Sequence, residues 1–290
     1  MVKYENIDII ECEKLAEKLA RGAGAIIKEY FGNKVGIEFK NGKEIDPVTE
    51  VDFKCQEFIS RGIKKYYPDH QFIGEESDKA GNESYGESKY VWVVDPLDGT
   101  LNFTSNFPLF SSSIALVYDG EPIVGAIHLP WPYTEDGIVV HASIGNGVFC
   151  DEMKVEDFLI NRSKSSSLAI FPEGKHSLNP RLKSLSRVEN RNTGSIAVDL
   201  ALVGINVLRY AVARRPRIWD VAAGVIIVKE AGGSVIQAIE PNKIKRMISG
   251  QKIKFVDFHK FKQDLNKQES KYESLKNWSG TLILGEADKI

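Results

Sequence analysis

Tyr90, Val91, Trp92, Val93 and Val94 make an unbroken apolar run that ends in Asp95, and Asp98 follows just ahead of Gly99 and Thr100. The run reads as a buried strand. A turn needs one aspartate at most, so a second carboxylate at the end of a buried strand asks for a chemical reason. Pro96 stiffens the backbone between the two acids, and a turn there aims both side chains and an intervening carbonyl at one point. Hard oxygen donors of this kind suit Mg2+, which keeps several of its waters and accepts phosphate oxygens. Gly99 and Thr100 then offer backbone N–H groups at a predicted helix start, where an anion is favoured. Two turn aspartates with capping roles are the alternative that this stretch alone leaves open.

Further acids stand at comparable places. Glu75 and Glu76 follow a short predicted strand over 71–74. Neighbours in extended chain face opposite ways, so one of the pair points at a given metal. Asp220 opens a predicted helix over 220–231, where it serves as an N-cap or stands beside a bound phosphate. Asp46, Glu50 and Asp52 lie at a turn-to-helix junction and, taken alone, read as capping. No GxSxG, HExxH or Cys–His pattern offers a side-chain nucleophile.

Around these acids the periodicity changes along the chain. Ile9, Leu15, Leu19, Ala23, Ile26, Ile27 and Tyr30 recur at helical spacing over 8–31. Val51, Cys55, Phe58, Ile59 and Ile63 do the same over 50–67, with Pro68 ending that helix. Gly22 and Gly24 weaken the first helix, and Gly-Ala-Gly alone is not read as a nucleotide loop. Strands are predicted over 71–74, 90–94, 112–118, 122–129, 138–141 and 147–150, with a hairpin signal at Asp119 and Gly120. After Phe158 a strand over 168–171 gives way to helices over 196–213 and 220–231, the last closed by Gly232 and Gly233. The expected class is α/β: an α+β unit over 1–158 carrying most of the acids, then an α/β unit over 159–290. Lysines crowd residues 240–276, which reads as a solvated insertion or exposed helix.

Composition excludes other classes. The 290 residues suffice for one large domain or two joined units, and a formal net charge of -2 argues against a dedicated nucleic-acid binder. Cys12, Cys55 and Cys150 are far apart, so no disulfide framework or zinc ribbon is expected and a reducing cytoplasm fits. No segment reaches the ~20 apolar residues of a membrane span, and the first residues lack the apolar core of a signal peptide. A cytoplasmic protein with no membrane or nucleic-acid partner is expected.

Taken in order, Thr49–Asp52 (TEVD), Gly74–Ser77 (GEES), Asp95–Thr100 (DPLDGT) with Asn102 and Phe103, and Trp219–Gly224 (WDVAAG) with Glu230–Gly233 resemble the inositol monophosphatase family. Its members are Mg2+-dependent, lithium-sensitive phosphatases, and the resemblance runs over residues 8–233. It implies a layered αβαβα sandwich, commonly a homodimer. Glu75, Asp95 and the Leu97 carbonyl would hold a first Mg2+, and Asp95, Asp98 and Asp220 a second. A third, weaker ion would share Glu75, and Mn2+ can substitute. Thr100, bonded to Asp52, would position the attacking water together with Glu75, and the Gly99 and Thr100 amides would bind the phosphate. Asp98, Gly194 and Ser195 would border the substrate. Past Gly233 the chain departs from the pattern: the lysine-rich stretch intervenes where relatives have a short strand and a closing helix. The last element is therefore expected to be missing or rebuilt.

Substrate choice lies outside the acids. In animal members an acidic residue seven positions before the second-metal aspartate contacts inositol, and that position here is Ala213. Arg214, Arg215 and Arg217 follow it, and Arg191 precedes Gly194. This resembles archaeal members that act on both inositol-1-phosphate and fructose 1,6-bisphosphate, in which arginines receive the second sugar phosphate. Arg191 and Arg214 are the expected contacts, and a phosphatase for these two small phosphate esters is the expected activity. The alternatives are a 3'(2'),5'-bisphosphate nucleotidase of the same superfamily and a catalytically silent metal- and phosphate-binding protein. The complete acidic set opposes the latter.

Overall fold

Two amphipathic helices come first. α1 (Ile9–Tyr30) starts on Asp8, whose carboxylate accepts the Ile10 and Glu11 amides. α2 (Glu50–Tyr66) starts on Thr49 in a reciprocal cap with Asp52. β1 (Ile37–Phe39) and β2 (Pro47–Thr49) form an antiparallel pair between them. The structure, a computed structural model, describes residues 4, 7–33, 36–39, 47–76, 88–132, 134–158, 167–170, 188–239, 253–261 and 270–286. Gly22 and Gly24 are packing contacts: a Cβ on Gly24 would lie 2.2 Å from the His128 ring, and one on Gly22 2.5 Å from the Phe58 ring.

Seven strands then build one sheet in chain order: β3 (Gln71–Gly74), β4 (Tyr90–Asp98), β5 (Ser111–Tyr118), β6 (Glu121–Leu129), β7 (Ile138–Ser143), β8 (Gly147–Cys150) and β9 (Met153–Lys154). Only the β3–β4 pair is parallel. The short α3 (Thr100–Thr104) follows β4, and α4 (Val155–Phe158) follows β9. The apolar run of β4 is buried on both faces. Trp92 and Val94 pack with α1 and α2, while Val91 and Val93 face α5 (Ile196–Gly204) and α6 (Ile218–Glu230). A strand in that position can be apolar at every residue instead of alternating.

Helices α5 and α6 lie in turn on a second sheet. Its members are β10 (Leu168–Ile170), β11 (Glu189–Arg191), β12 (Tyr210–Ala213), β13 (Ser234–Ile239), β14 (Lys254–Asp257) and β15 (Thr281–Gly285). Their order is β11-β10-β12-β15-β13-β14. The described residues thus stack as helices, sheet, helices, sheet, the layered α/β fold that was expected. Among the described residues no fifth layer of the αβαβα order is seen.

Two expectations need correction, and one open alternative is decided. The helix over 196–213 stops at Gly204; Asn206 takes a left-handed φ of 59°, and residues 210–213 form β12 between β10 and β15. An apolar run buried on every side satisfies either period, so the pattern alone could not separate the two elements. The lysine-rich stretch is not simply solvated where it is described. β14 extends the sheet, Phe258, Phe261 and Trp278 pack edge to face in the core, and Lys260 and Lys271 both bond Asp119. A short helix, α7 (Lys271–Lys276), leads to β15; residues 240–252 and 262–269 lie outside the described residues. The final apolar segment is rebuilt, not missing: β15 is an interior strand between β12 and β13.

The three cysteines are buried free thiols. Among the described residues no helix is long and apolar enough to cross a membrane.

The tightest contact between α6 and the first sheet is at Gly125 on β6. A Cβ there would lie 2.5 Å from the Ala223 carbonyl oxygen and 2.6 Å from Ile226 Cγ2. Backbone cannot yield as a side-chain tip does. Gly125→Ala is therefore expected to cost ~1–3 kcal/mol and lower the melting temperature by several degrees. Gly36→Ala, where nothing lies within 4 Å, is the control and should stay within ~0.5 kcal/mol. A differential melt of the two variants tests this.

Candidate active site

The two aspartates of β4 owe their common direction to a bulge. Asp95 pairs with Ser113 and Asp98 with Ser111, so three steps on β4 answer two on β5. Without the extra residue, positions three apart would face opposite sides of the sheet. Pro96 sits inside the bulge, beyond the last β3–β4 pair at Gly74 and Val94, where no ladder bond needs its missing N–H. The strand does not stop at Val94 before a turn that carries both acids, as its apolar run suggests; it continues through Asp98, and the bulge performs that task.

Glu75 comes from the neighbouring strand end. Its amide donates to the Val94 carbonyl at 3.1 Å, which sets it beside Asp95. The two carboxyl groups are hydrogen bonded to each other. Asp98 reaches the start of α5. Its Oδ2 accepts from the Ser195 hydroxyl at 2.8 Å and from the Ala197 amide at 2.5 Å. Asp220 lies in the first turn of α6, where Oδ2 accepts the Arg217 amide at 2.8 Å. Asp220 is thus a cap and a member of the acidic group at once.

These acids act on one another electrostatically. Burial pushes Asp95 far above the usual carboxylate range, and the charges of Glu75, Asp98 and Asp220 push it further. Asp220 is raised in the same way, by burial and then by Asp98. Burial brings Asp98 up to about 6, against the pull of its Ala197 and Ser195 donors. As the side chains stand, no three Asp, Glu, His or Cys residues among the described ones close into a coordination shell. Several oxygens are turned to protein donors instead. The coupling of charge, and not a closed shell, marks the group. An all-oxygen set, with Asp95 buried and Glu75, Asp98 and Asp220 partly exposed around it, fits a hard divalent cation.

Thr100 and Asp52 meet as expected. The Thr100 hydroxyl lies 3.3 Å from Asp52 Oδ1 and 3.0 Å from the Leu97 carbonyl. Asp52 Oδ2 also takes the Thr49 amide and hydroxyl, and burial raises its carboxyl to about 7. Gly99 has a left-handed φ of 90°, and a Cβ on it would stand 3.2 Å from Ser195 Cβ. Gly194 is left-handed too and abuts Asn102.

Arg191 is exposed and donates to the Asn190 carbonyl, and Arg214 is exposed at the end of β12. Neither is hydrogen bonded to the acids among the described residues. Arg217 is the cation that touches the group, through its amide and its charge beside Asp220.

Four residues near the site were assigned no role from the sequence, although Asn102 is part of the family motif. Gln56, on α2, accepts the Glu76 amide at 2.9 Å. Asn102 donates to the Leu109 and Thr193 carbonyls at 2.5 and 2.6 Å. Thr193 bonds Asp199, a buried acid within the apolar α5. That misplaced charge was the one visible signal; the other three look like ordinary polar residues.

A layered α/β fold with helices between two sheets, and an acidic group on one sheet's bulge and a helix start, defines a class of phosphoric monoester hydrolases. The profile of the inositol monophosphatase family matches residues 8–259, and the chain belongs to that family. A fructose-1,6-bisphosphatase/inositol-1-monophosphatase of Aquifex aeolicus is 34% identical over 249 residues, covering 82% of this chain and 90% of that protein. A Nus factor SuhB of Xylella fastidiosa is 31% identical over 227 residues, 75% of this chain and 78% of that one. Among solved structures, the Thermotoga maritima IMPase superposes with a TM-score of 0.65 at 26% identity, over 95% of this chain and 92% of its own.

The raised carboxyls give a stability prediction for the metal-free protein. An acid with a raised folded pKa binds more protons folded than unfolded, so its protonation favours folding at low pH. For Asp52, raised to about 7, and Asp98, raised to about 6, that benefit fades as pH climbs from the ordinary carboxylate range through those values. Melting in the presence of chelator should therefore fall between about pH 5 and pH 8, and excess Mg2+ should flatten the profile. Asp95→Asn, which removes the most repelled charge, should stabilise the metal-free protein at pH 8 by at least ~1 kcal/mol. A profile that rises with pH in chelator would contradict this electrostatic account.

Proposed function

We propose that the chain hydrolyses small phosphate monoesters, fructose 1,6-bisphosphate and inositol-1-phosphate among them, with two or three Mg2+ ions that Mn2+ can replace. The observation that carries this reading is the convergence of Glu75, Asp95 and Asp98 at the ends of β3 and β4 with Asp220 at the head of α6. Glu75, Asp95, the Leu97 carbonyl, Asp98 and Asp220 would hold the ions. Bound there, divalent cations acidify a water and offset charge on the phosphoryl and departing oxygens.

The chain's own residues do the rest. Thr100 has one hydroxyl proton and two acceptors in reach, Asp52 Oδ1 and the Leu97 carbonyl. With that carbonyl engaged as a ligand, the proton goes to Asp52, and the Thr100 oxygen is left to accept a proton from the attacking water. Glu75 shares that positioning. The Gly99 and Thr100 amides receive phosphate oxygens, and Asp98, Gly194 and Ser195 border the ester. No covalent intermediate on the protein is required.

The bisphosphate reading rests on Ala213, which places no acid at the inositol end, on the exposed Arg214 that follows it, and on the double name of the A. aeolicus relative. The same resemblance favours a homodimer in the cytoplasm and inhibition by Li+.

Chelation should abolish turnover and Mg2+ should restore it, and Asp95→Asn should be inactive at any Mg2+ concentration. Turnover by a metal-free preparation would sink the scheme. Arg214→Ala, and more weakly Arg191→Ala, should raise KM for fructose 1,6-bisphosphate by ~2–3 kcal/mol, the value of a charged hydrogen bond. Inositol-1-phosphate has no second phosphate and should be nearly unaffected. Steady-state kinetics on both esters decide it: equal losses on both would assign these arginines to the fold.

A further inference from the structure

Asp199 is a carboxylate in the wrong company. It lies on α5 among Ala197, Val198, Leu200 and Ala201, all buried, and is itself only 7% exposed. Burying an ionisable group without a partner is expensive, and among the described residues the side-chain partner of Asp199 is the Thr193 hydroxyl. Thr193 is just as constrained. Its Oγ1 also receives the Ser195 amide at 3.3 Å and lies 3.0 Å from the Ser195 carbonyl, while its own carbonyl accepts from Asn102 at 2.6 Å. The turn 193–195 is therefore pinned from α5 by Asp199 and from α3 by Asn102.

What that turn delivers is a pair of donors to one oxygen. Ser195 Oγ and the Ala197 amide both reach Asp98 Oδ2, and Ser195 Oγ also caps α5 by accepting the Val198 amide at 3.2 Å. Left-handed Gly194 leaves room for nothing larger, since a Cβ would meet Asn102 at 3.0 Å. An unbroken path of hydrogen bonds runs from Asp199 through Thr193 and Ser195 to Asp98.

We infer that Asp199 is a positioning residue for Asp98: by holding Thr193 it fixes the turn whose two donors set the plane of the Asp98 carboxylate. This rests on the proposal that Asp98 binds a divalent cation. Orientation matters because a ligand carboxylate that is free to rotate gives up part of its affinity, and partners of this kind commonly carry 10–100-fold in metal binding. The burial of Asp199 raises its carboxyl to about 7, with the charge of Asp98 adding to the effect, which agrees with a group kept for its contact and not for solubility.

The test uses direct Mn2+ binding to the full chain, followed by electron paramagnetic resonance, with thermal melting alongside. Asp199→Ala and Thr193→Val should each weaken the ion held by Asp98 by about tenfold or more. The doubly substituted protein should be no worse than either single variant, because the residues share one path. Asp199→Asn and Thr193→Ser, which keep an acceptor and a donor, should bind within about threefold of the parent. A merely structural role would lower the melting temperature and leave the binding of the folded variants unchanged, which would overturn the inference. Should Asp199→Ala fail to fold, Thr193→Val decides: unchanged Mn2+ affinity in that variant overturns it equally. If the parent protein itself binds no Mn2+, the metal reading of the site is what has failed.

Discussion

Like charges brought together repel, and Glu75, Asp95, Asp98 and Asp220 are held together by β3, β4 and α6, which share one apolar core. Each ion taken from water costs several kcal/mol after relaxation, roughly, and neighbours of the same sign add to that. The fold offsets part of it with fixed backbone donors. Leu97 N–H reaches Asp95 at 3.1 Å, Ala197 N–H reaches Asp98, and Arg217 N–H reaches Asp220. One donor comes from a bulge and two from helix starts, where amides lack an intrahelical acceptor. The acids therefore sit where the chain already has unsatisfied N–H groups, so holding them uses backbone geometry and few cationic side chains.

That arrangement works only if the two helices keep their starts in place. α5 and α6 do so by close approach. A Cβ on Gly224 would fall 2.4 Å from Leu200 Cβ, and one on Gly204 would fall 2.2 Å from Ile227 Cγ2. Two glycines, one from each helix, let the pair pack at a distance that side chains would forbid. α6 meets β6 just as closely at Gly125. The helix starts that hold Asp98 and Asp220 are thus fixed by contacts further along the same helices. Stability and site geometry are carried by the same contacts.

The acids of β4 were legible because their chemistry contradicts their surroundings: an aspartate after five apolar residues has few structural excuses, whereas Asp220 at a helix head reads equally as a cap. The strands of the first sheet were legible because turns such as Asp119-Gly120 punctuate them. The boundary inside 196–213 was not legible, since a segment buried on all sides shows no period that separates α5 from β12. The bulge was invisible for another reason: it is a property of two strands in register, and Pro96 alone reads equally well as a turn. Asn102 and Gln56 act through backbone groups far away in sequence, and a linear pattern has no means of recording that.

Gln56 shows how such a contact shapes the site. It lies one helical turn after Asp52 on the buried face of α2. Asp52 holds Thr100, which follows β4, and Gln56 holds the Glu76 amide, which follows β3. A single helix turn thus spans the two arms that bring Thr100 and Glu75 to the acids, and a helix neither stretches nor bends easily over that length. Gly74 is required for the same contact, because a Cβ on it would lie 2.2 Å from Gln56 Oε1. The residue type follows from charge. A carboxamide oxygen accepts the amide as a carboxylate would, but it adds no further negative charge beside Asp52, whose carboxyl is already raised by burial and by Glu76 and Glu75. A neutral acceptor is what this position can carry without increasing the repulsion that the rest of the fold works to contain.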